Sequence, residues 1–147
     1  KDHVEIVVDI AEDLPMVRCR TQQIQQIIMN LVTNARDALN ERYGGHHEQK
    51  RIVIAATPMT HGSGAPWVRL EVRDQAGGIP EEIRARIFDP FFTTKGRDKG
   101  TGLGLSVSHG IAVEHQGELR VESEVGVGSR FILELPVEGP STRRSSQ

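Results

Sequence analysis

The sequence predicts an α/β fold, a two-layer sandwich in which a mixed sheet is covered by helices on one face. Three observations lead there. Stretches with the two-residue period of strands alternate with stretches of helical period along the 147 residues. Their order reads β-α-β-β-α-loop-α-β-β, without the strict βαβ alternation of a doubly wound parallel sheet. Val68, Leu70 and Val72 alternate with Arg69, Glu71 and Arg73, the mark of a strand with one buried face.

The first strand is read over His3 to Ile10, where Val4, Ile6 and Val8 alternate and Val7 and Ile10 fall off phase. A helix follows over Arg20 to Asn40. Ile24, Ile27, Ile28, Leu31, Val32, Ala35, Ala38 and Leu39 recur at i, i+3, i+4, i+7 and i+8 and form one apolar face. Thr21 is the expected N-cap, and Gly44-Gly45 should stop the helix. Arg51 to Thr57 and Trp67 to Arg73 read as two strands joined by a loop bearing Pro and Gly. Pro80, Glu81 and Glu82 open a short helix, with acids in the first turn where the macrodipole favours them. Phe88 to Gly100 is a long connection with little regular pattern, and Leu103 to Gln116 is helical. Glu118 to Ser123 and Arg130 to Leu135 close the domain as a hairpin around Gly126 and Gly128.

Composition narrows the class of partner. A formal charge of −2 with scattered basic residues offers no field for capturing nucleic acid. No apolar run reaches the roughly 20 residues that cross a bilayer, and direct membrane contact is not expected. Cys19 stands alone, which leaves no disulfide framework and no Cys-based metal site. These features suit the cytoplasm. The chain opens directly in strand-like sequence and closes in the polar run Ser141 to Gln147. The expectation is an excised domain over 1–136 with a polar, disordered tail over 137–147; its parent could be membrane-anchored.

Three clusters carry candidate chemistry. Asn30, Asn34 and Asp37 lie at i, i+4 and i+7, a stripe roughly 60° wide at about 100° per residue. The stripe flanks the apolar face of the first helix. Asn prefers caps and turns to helix interiors, so two there need a reason: either a solvated polar edge, or amide oxygen available to a hard cation such as Mg²⁺. Asp74-Gln75-Ala76-Gly77-Gly78-Ile79-Pro80 follows the buried-face strand. It reads equally as a plain turn or as a carboxylate acceptor, beside side-chain-free backbone, for an exocyclic amine such as that of adenine. Gly100-Thr101-Gly102-Leu103-Gly104-Leu105 opens a helix, where glycines let phosphates approach unpaired N–H groups. The preceding Lys95-Gly96-Arg97-Asp98-Lys99 supplies cations. The spacing G-x-G-x-G behind a charged loop is not a dinucleotide fingerprint, and no Walker lysine motif occurs. Phe88-Asp89-Pro90-Phe91-Phe92 crowds three of the four phenylalanines into this connection and reads as a hydrophobic plug anchoring it.

In this order the clusters resemble the N, G1, F and G2 boxes of the histidine kinase ATP-binding domain, within the superfamily of gyrase, the Hsp90 chaperone and MutL. The resemblance runs from about Gln22 to Pro136. It implies the Bergerat α/β sandwich, with ATP and Mg²⁺ as ligands. By the same resemblance Asn34 matches the Mg²⁺-binding asparagine, and Asp37 sits where relatives keep a charged residue near the nucleotide. Asp74 matches the aspartate that receives the adenine amino group, Gly78 the glycine of the pocket floor with Ile79 beside it. Lys95, Gly100, Thr101, Gly102, Leu103, Gly104 and Leu105 match the phosphate-binding lid and turn, and Ser129 a position supporting the adenine site.

Two residues depart from the pattern. Ala76 replaces the first glycine of D-x-G-x-G; its methyl group is expected to be tolerated, at a cost only where the backbone must adopt a positive φ. Asn30 stands where ATP-hydrolysing relatives place a water-activating glutamate; an amide cannot take that proton, so slow hydrolysis is expected.

The histidines at 3, 46, 47, 61, 109 and 115 lack the setting of a phosphoacceptor and are read as loop, surface or packing residues. The resemblance therefore implies a phosphoacceptor and dimerisation segment elsewhere, a response regulator downstream and a monomeric fragment. A superfamily ATPase, an anti-sigma-type serine kinase and a non-catalytic nucleotide-binding module are the alternatives.

Overall fold

The computed structural model describes residues 4–45, 47–62, 64–90 and 104–139. Among them the elements fall in the expected order: β1 (Glu5–Ile10), α1 (Thr21–Arg42), β2 (Arg51–His61), β3 (Ala65–Asp74), α2 (Glu81–Arg84), α3 (Gly104–Glu114), β4 (Glu118–Glu124) and β5 (Gly128–Pro136). The strands form one five-stranded sheet in the order β1-β2-β3-β5-β4. β1 runs parallel to β2, across the α1 crossover, and the other pairings are antiparallel. The two-layer α/β sandwich is therefore the observed architecture.

One face of the sheet makes the core. Register places Ile54 opposite Val72, and Val72 opposite Phe131, so these side chains share a face. Ile52, Val72, Phe131 and Leu133 there pack with Ile27, Leu31, Ala35 and Leu39 of α1 and Ile111 and Ala112 of α3. Each large aliphatic side chain removed from water contributes about 1.5–3 kcal/mol, which fixes α1 and α3 side by side on the sheet. The i, i+4 spacing of the buried α1 residues is the apolar stripe expected from sequence. Beyond the cover of α1, Ile6, Val8 and Ile10 of the edge strand remain about half exposed.

The ends of the elements differ from expectation in instructive ways. Thr21 is the first helical residue rather than the cap, which is Arg20, with no side-chain cap hydrogen bond. The entry to α1 is tied instead by the buried His115 of the α3 terminus, whose Nε2 accepts the Arg20 N–H at 3.1 Å. Its Nδ1 faces the Ile111 carbonyl at 2.9 Å. A carbonyl only accepts and a backbone N–H only donates, so the ring is neutral with its proton on Nδ1. β2 and β3 run on through Pro58 and Pro66, leaving a connection much shorter than the sequence suggested. Pairing of β1 with β2 ends at Ala56, so Pro58 meets no strand requiring its missing N–H on that side. Val137, assigned to the tail on sequence grounds, is bonded into the body of the domain through Arg18 and Pro66.

The opposite face of the sheet carries charged ladders. Arg130 bonds Glu122 at 2.7 Å and Glu71 at 3.4 Å. Glu134 is 3% exposed and lies 2.8 Å from Arg69 and 3.2 Å from Arg120. Burial pushes the Glu134 carboxyl up, but hydrogen bonds and charge from Arg69 and Arg120 outweigh it and hold the group below its ordinary 4.5. A folded value below the unfolded one contributes stability above the unfolded value, lost as pH falls through the folded one. Glu134→Gln should thus be less stable near neutral pH by about 1–2 kcal/mol, the part-exposed guanidinium heads limiting the loss. Its unfolding free energy should also fall less steeply than that of wild type between about pH 5 and pH 3. Parallel urea-denaturation profiles would refute this role.

Candidate functional site

Asp74 is the last residue of β3, and alternation with Val72 turns its side chain toward the helices. It is nearly buried. Its Oδ1 accepts the Ala76 N–H at 3.0 Å, and the Ser129 backbone N–H supplies a second bond. Burial raises the carboxyl above its ordinary 3.8, and the two N–H bonds only partly offset this. Among the described residues no arginine or lysine neutralises it. A carboxylate has about four acceptor sites, so two donors leave it able to take another from a ligand.

The turn after Asp74 is shaped by contact with the β4–β5 hairpin. Gly78 has φ +82°, and a Cβ there would overlap the Glu124 carbonyl. A Cβ on Gly128 would likewise overlap the Asp74 carbonyl. Ala76 is buried and its φ is not positive, so the alanine that replaces the first glycine is accommodated without strain. Ile79 donates its N–H to Ser123 Oγ at 2.6 Å, and Ser123 also bonds Ser129 Oγ at 2.9 Å. Asp74, Gly78, Ile79 and Ser129 are thus brought together at one end of the sheet.

Three residues that the sequence reading missed hold this turn. Arg42 at the end of α1 donates to the Ala76 carbonyl, Tyr43 Oη donates to Gln75 O at 3.1 Å, and Ser123 bridges as described. No pattern flags them: Arg42 and Tyr43 end an ordinary amphipathic helix, and Ser123 lies in a polar strand.

The middle of α1 makes the second half of the site. Asn30 Nδ2 donates to Gly104 O at 3.2 Å and to Ser108 Oγ at 3.0 Å, so it faces α3 rather than open water. Asn34, one turn further along and partly buried, makes no side-chain hydrogen bond among the described residues. Asp37 is partly buried and engaged with a neighbour. Leu105 packs against the core. Phe88 meets His109 at a 5.1 Å ring separation and Phe131 at 6.4 Å, which bears out the plug for that phenylalanine. Lys95, Gly100, Thr101, Gly102 and Leu103 lie outside the described residues, as do Phe91 and Phe92. By helix rise, Arg42 lies about 18 Å along α1 from Asn30. One helix therefore holds both the Asp74 turn and the start of α3, with Asn34 between them.

A cavity of about 580 Å³ opens on the other side of the sheet, behind the Asp74 backbone, among Arg51, Val53, Arg73, Glu122, Val127 and Arg130. The Asp74 carboxylate faces away from it. Its arginines are paired with Glu5, Glu71 and Glu122.

The comparisons with known proteins agree with this fold. Residues 19–139 match the family described as histidine kinase-, DNA gyrase B- and HSP90-like ATPase, and the chain belongs to that family. Within it, the chain is a histidine kinase-type ATPase domain similar to those of sensor kinases. It is 41% identical over 126 residues to the two-component sensor PprA of Pseudomonas aeruginosa, covering 86% of this chain and 13% of that protein. Sensor histidine kinase ZraS of Escherichia coli is 38% identical over 126 residues, covering 86% of this chain and 24% of ZraS. The chain thus spans about a quarter or less of these relatives. The catalytic domain of histidine kinase ThkA superposes with a TM-score of 0.74 at 33% identity, covering 92% of this chain and 80% of that one. Full-length ShkA in complex with AMPPNP gives 0.76 at 25% identity, covering 95% of this chain and 27% of ShkA.

The raised Asp74 value has a consequence for folding. For an acid whose folded value lies above the unfolded one, stability falls as pH rises from the unfolded value through the folded one. At neutral pH the buried charge therefore costs stability. Asp74→Asn keeps an acceptor oxygen for the Ala76 N–H and removes the charge. Its melting temperature near neutral pH should equal or exceed that of wild type; a fall of several degrees would show that the carboxylate is needed for folding.

Proposed function

We propose that this domain binds MgATP and presents its γ-phosphoryl group to a histidine on a separate dimerisation segment of a parent sensor kinase. The observation that carries the reading is the Asp74 carboxylate. It is buried, is paired with no cation among the described residues, and keeps acceptor capacity beside a glycine that no other residue could replace. An amino group on a planar, largely apolar ligand is the donor such a site takes, and adenine fits it. Gly78, Ile79 and Ser129 shape the surrounding wall.

Asn34 offers an amide oxygen, a donor suited to Mg²⁺. Asp37, Gly104 and Leu105 would line the same end, and Lys95 with Gly100, Thr101, Gly102 and Leu103 would complete the phosphate end. Mg²⁺ held there by Asn34 would supply positive charge that offsets the charge of the phosphates. The chain's own contribution is position: α1 holds the adenine-binding turn at one end and α3 at its middle, which aligns the triphosphate for in-line attack. Asn30 cannot act as a base for water, so hydrolysis in the absence of acceptor is expected to be slow. In the cell the phosphoryl group would pass on to a response regulator, and the domain would work in the cytoplasm.

Calorimetry tests the binding step. Wild type should bind ATP in the presence of Mg²⁺, and Asp74→Asn should weaken that binding at least about a hundredfold, the loss of a charge-assisted hydrogen bond in a buried site. Wild-type affinity in that folded variant would refute the adenine assignment. Asn34→Ala should bind ATP with the same affinity with and without Mg²⁺; a retained metal dependence would remove Asn34 from the site. Transfer is tested by adding a purified dimerisation segment of a related sensor kinase with labelled ATP and following label on histidine.

A further inference from the structure

The structure assigns Asn30 a role different from the one its position suggests. We propose that it is a positioning residue: its amide locks the first turn of α3 to the turn of α1 that carries Asn34, and so sets the phosphate end of the site. The inference rests on the proposed MgATP function and concerns this chain's own residues. Gly104 O can only accept, so the Asn30 atom facing it at 3.2 Å must be the nitrogen. The second hydrogen of the same NH₂ group meets Ser108 Oγ at 3.0 Å. Both donors are spent on α3, one at its first residue and one a turn further on. Ser108 is fully buried, so it acts through Asn30 and has no path to a ligand.

Geometry makes the tie selective. Gly104 and Ser108 are four apart on α3, and the two contacts fix both the height and the rotation of that helix relative to α1. Asn34 follows Asn30 by four residues and so lies directly along the same α1 face. Whatever registers Gly104 against Asn30 therefore registers α3 against the proposed metal ligand. The Asp74 turn is held separately by Arg42, Tyr43 and Ser123. The tie should consequently govern phosphate and metal binding while leaving adenine binding alone. A carboxylate at position 30 would lose both donors and stand against the Gly104 carbonyl, so Asp and Glu should be worse there than Ala.

The experiment compares wild type, Asn30→Ala, Asn30→Asp, Ser108→Ala and the Asn30→Ala/Ser108→Ala double variant. MgATP and adenosine affinities are measured by calorimetry, and amide hydrogen exchange at Ser108 is followed without nucleotide. Expected are at least a tenfold loss of MgATP affinity in Asn30→Asp with adenosine affinity within twofold of wild type, and a smaller MgATP loss in Ser108→Ala. The double variant should bind no worse than Asn30→Ala, because the two residues form one contact. Exchange at Ser108 should quicken about tenfold in Asn30→Asp. The proposal is overturned if Ser108→Ala binds MgATP like wild type while Asn30→Ala does not, since Asn30 would then act on the ligand directly. It is equally overturned if Ser108 exchange is unchanged. Should wild type bind no adenine nucleotide, the proposed function fails, and the exchange result alone decides whether Asn30 fixes α3.

Discussion

The arrangement depends on holding one carboxylate at the end of β3 in a nearly water-free place. Water would solvate an ionised Asp74 far better than two backbone N–H groups do. The fold accepts that cost because the residue is fixed from several sides. β3 is an interior strand paired on both edges. The turn beyond it is clamped by the β4–β5 hairpin on one side and by the end of α1 on the other. Removing any clamp would let the turn open, admit water and relax the carboxyl toward its ordinary behaviour. Packing of α1 on the sheet is thus more than a source of stability: it keeps an energetically unfavourable group in place.

Much of this was legible in the residues. The α1 stripe from Ile24 to Leu39 declares a helix with a buried face, because burial at helical spacing leaves a periodic trace. The Asp74 and Gly78 cluster is legible as a special turn, since only glycine serves where φ is positive and a carbonyl presses close. Element ends were less legible. Thr21 looks like a cap, but α1 begins against His115, a contact between residues 95 apart that no local pattern encodes. The strands around Pro58 and Pro66 run on because their neighbours, not their own propensities, decide which N–H groups are needed. Arg42, Tyr43 and Ser123 were invisible for the same reason: each acts through a backbone carbonyl or N–H distant in sequence. Ala76 departs from the glycine pattern and is tolerated as expected, because the first position of this turn has no positive φ.

Two acidic side chains on opposite faces of the sheet show how environment assigns roles. Glu134 and Asp74 are both nearly excluded from solvent, yet their acidities move in opposite directions. Glu134 is paired with Arg69 and Arg120, whose hydrogen bonds and charge outweigh the effect of its burial. Its function is to bind β3, β5 and β4 together across the sheet. Asp74 receives only backbone dipoles. Its charge is under-compensated, and a ligand donor entering the pocket recovers interaction energy that the protein alone does not provide. That difference separates the two residues where burial does not, because burial is common to both, and it is the ground for proposing Asp74 as the ligand-binding carboxylate. It also sets the arginines of the cavity behind β3 apart from Asp74: their charges already have partners, whereas the Asp74 carboxylate is held by backbone N–H groups alone.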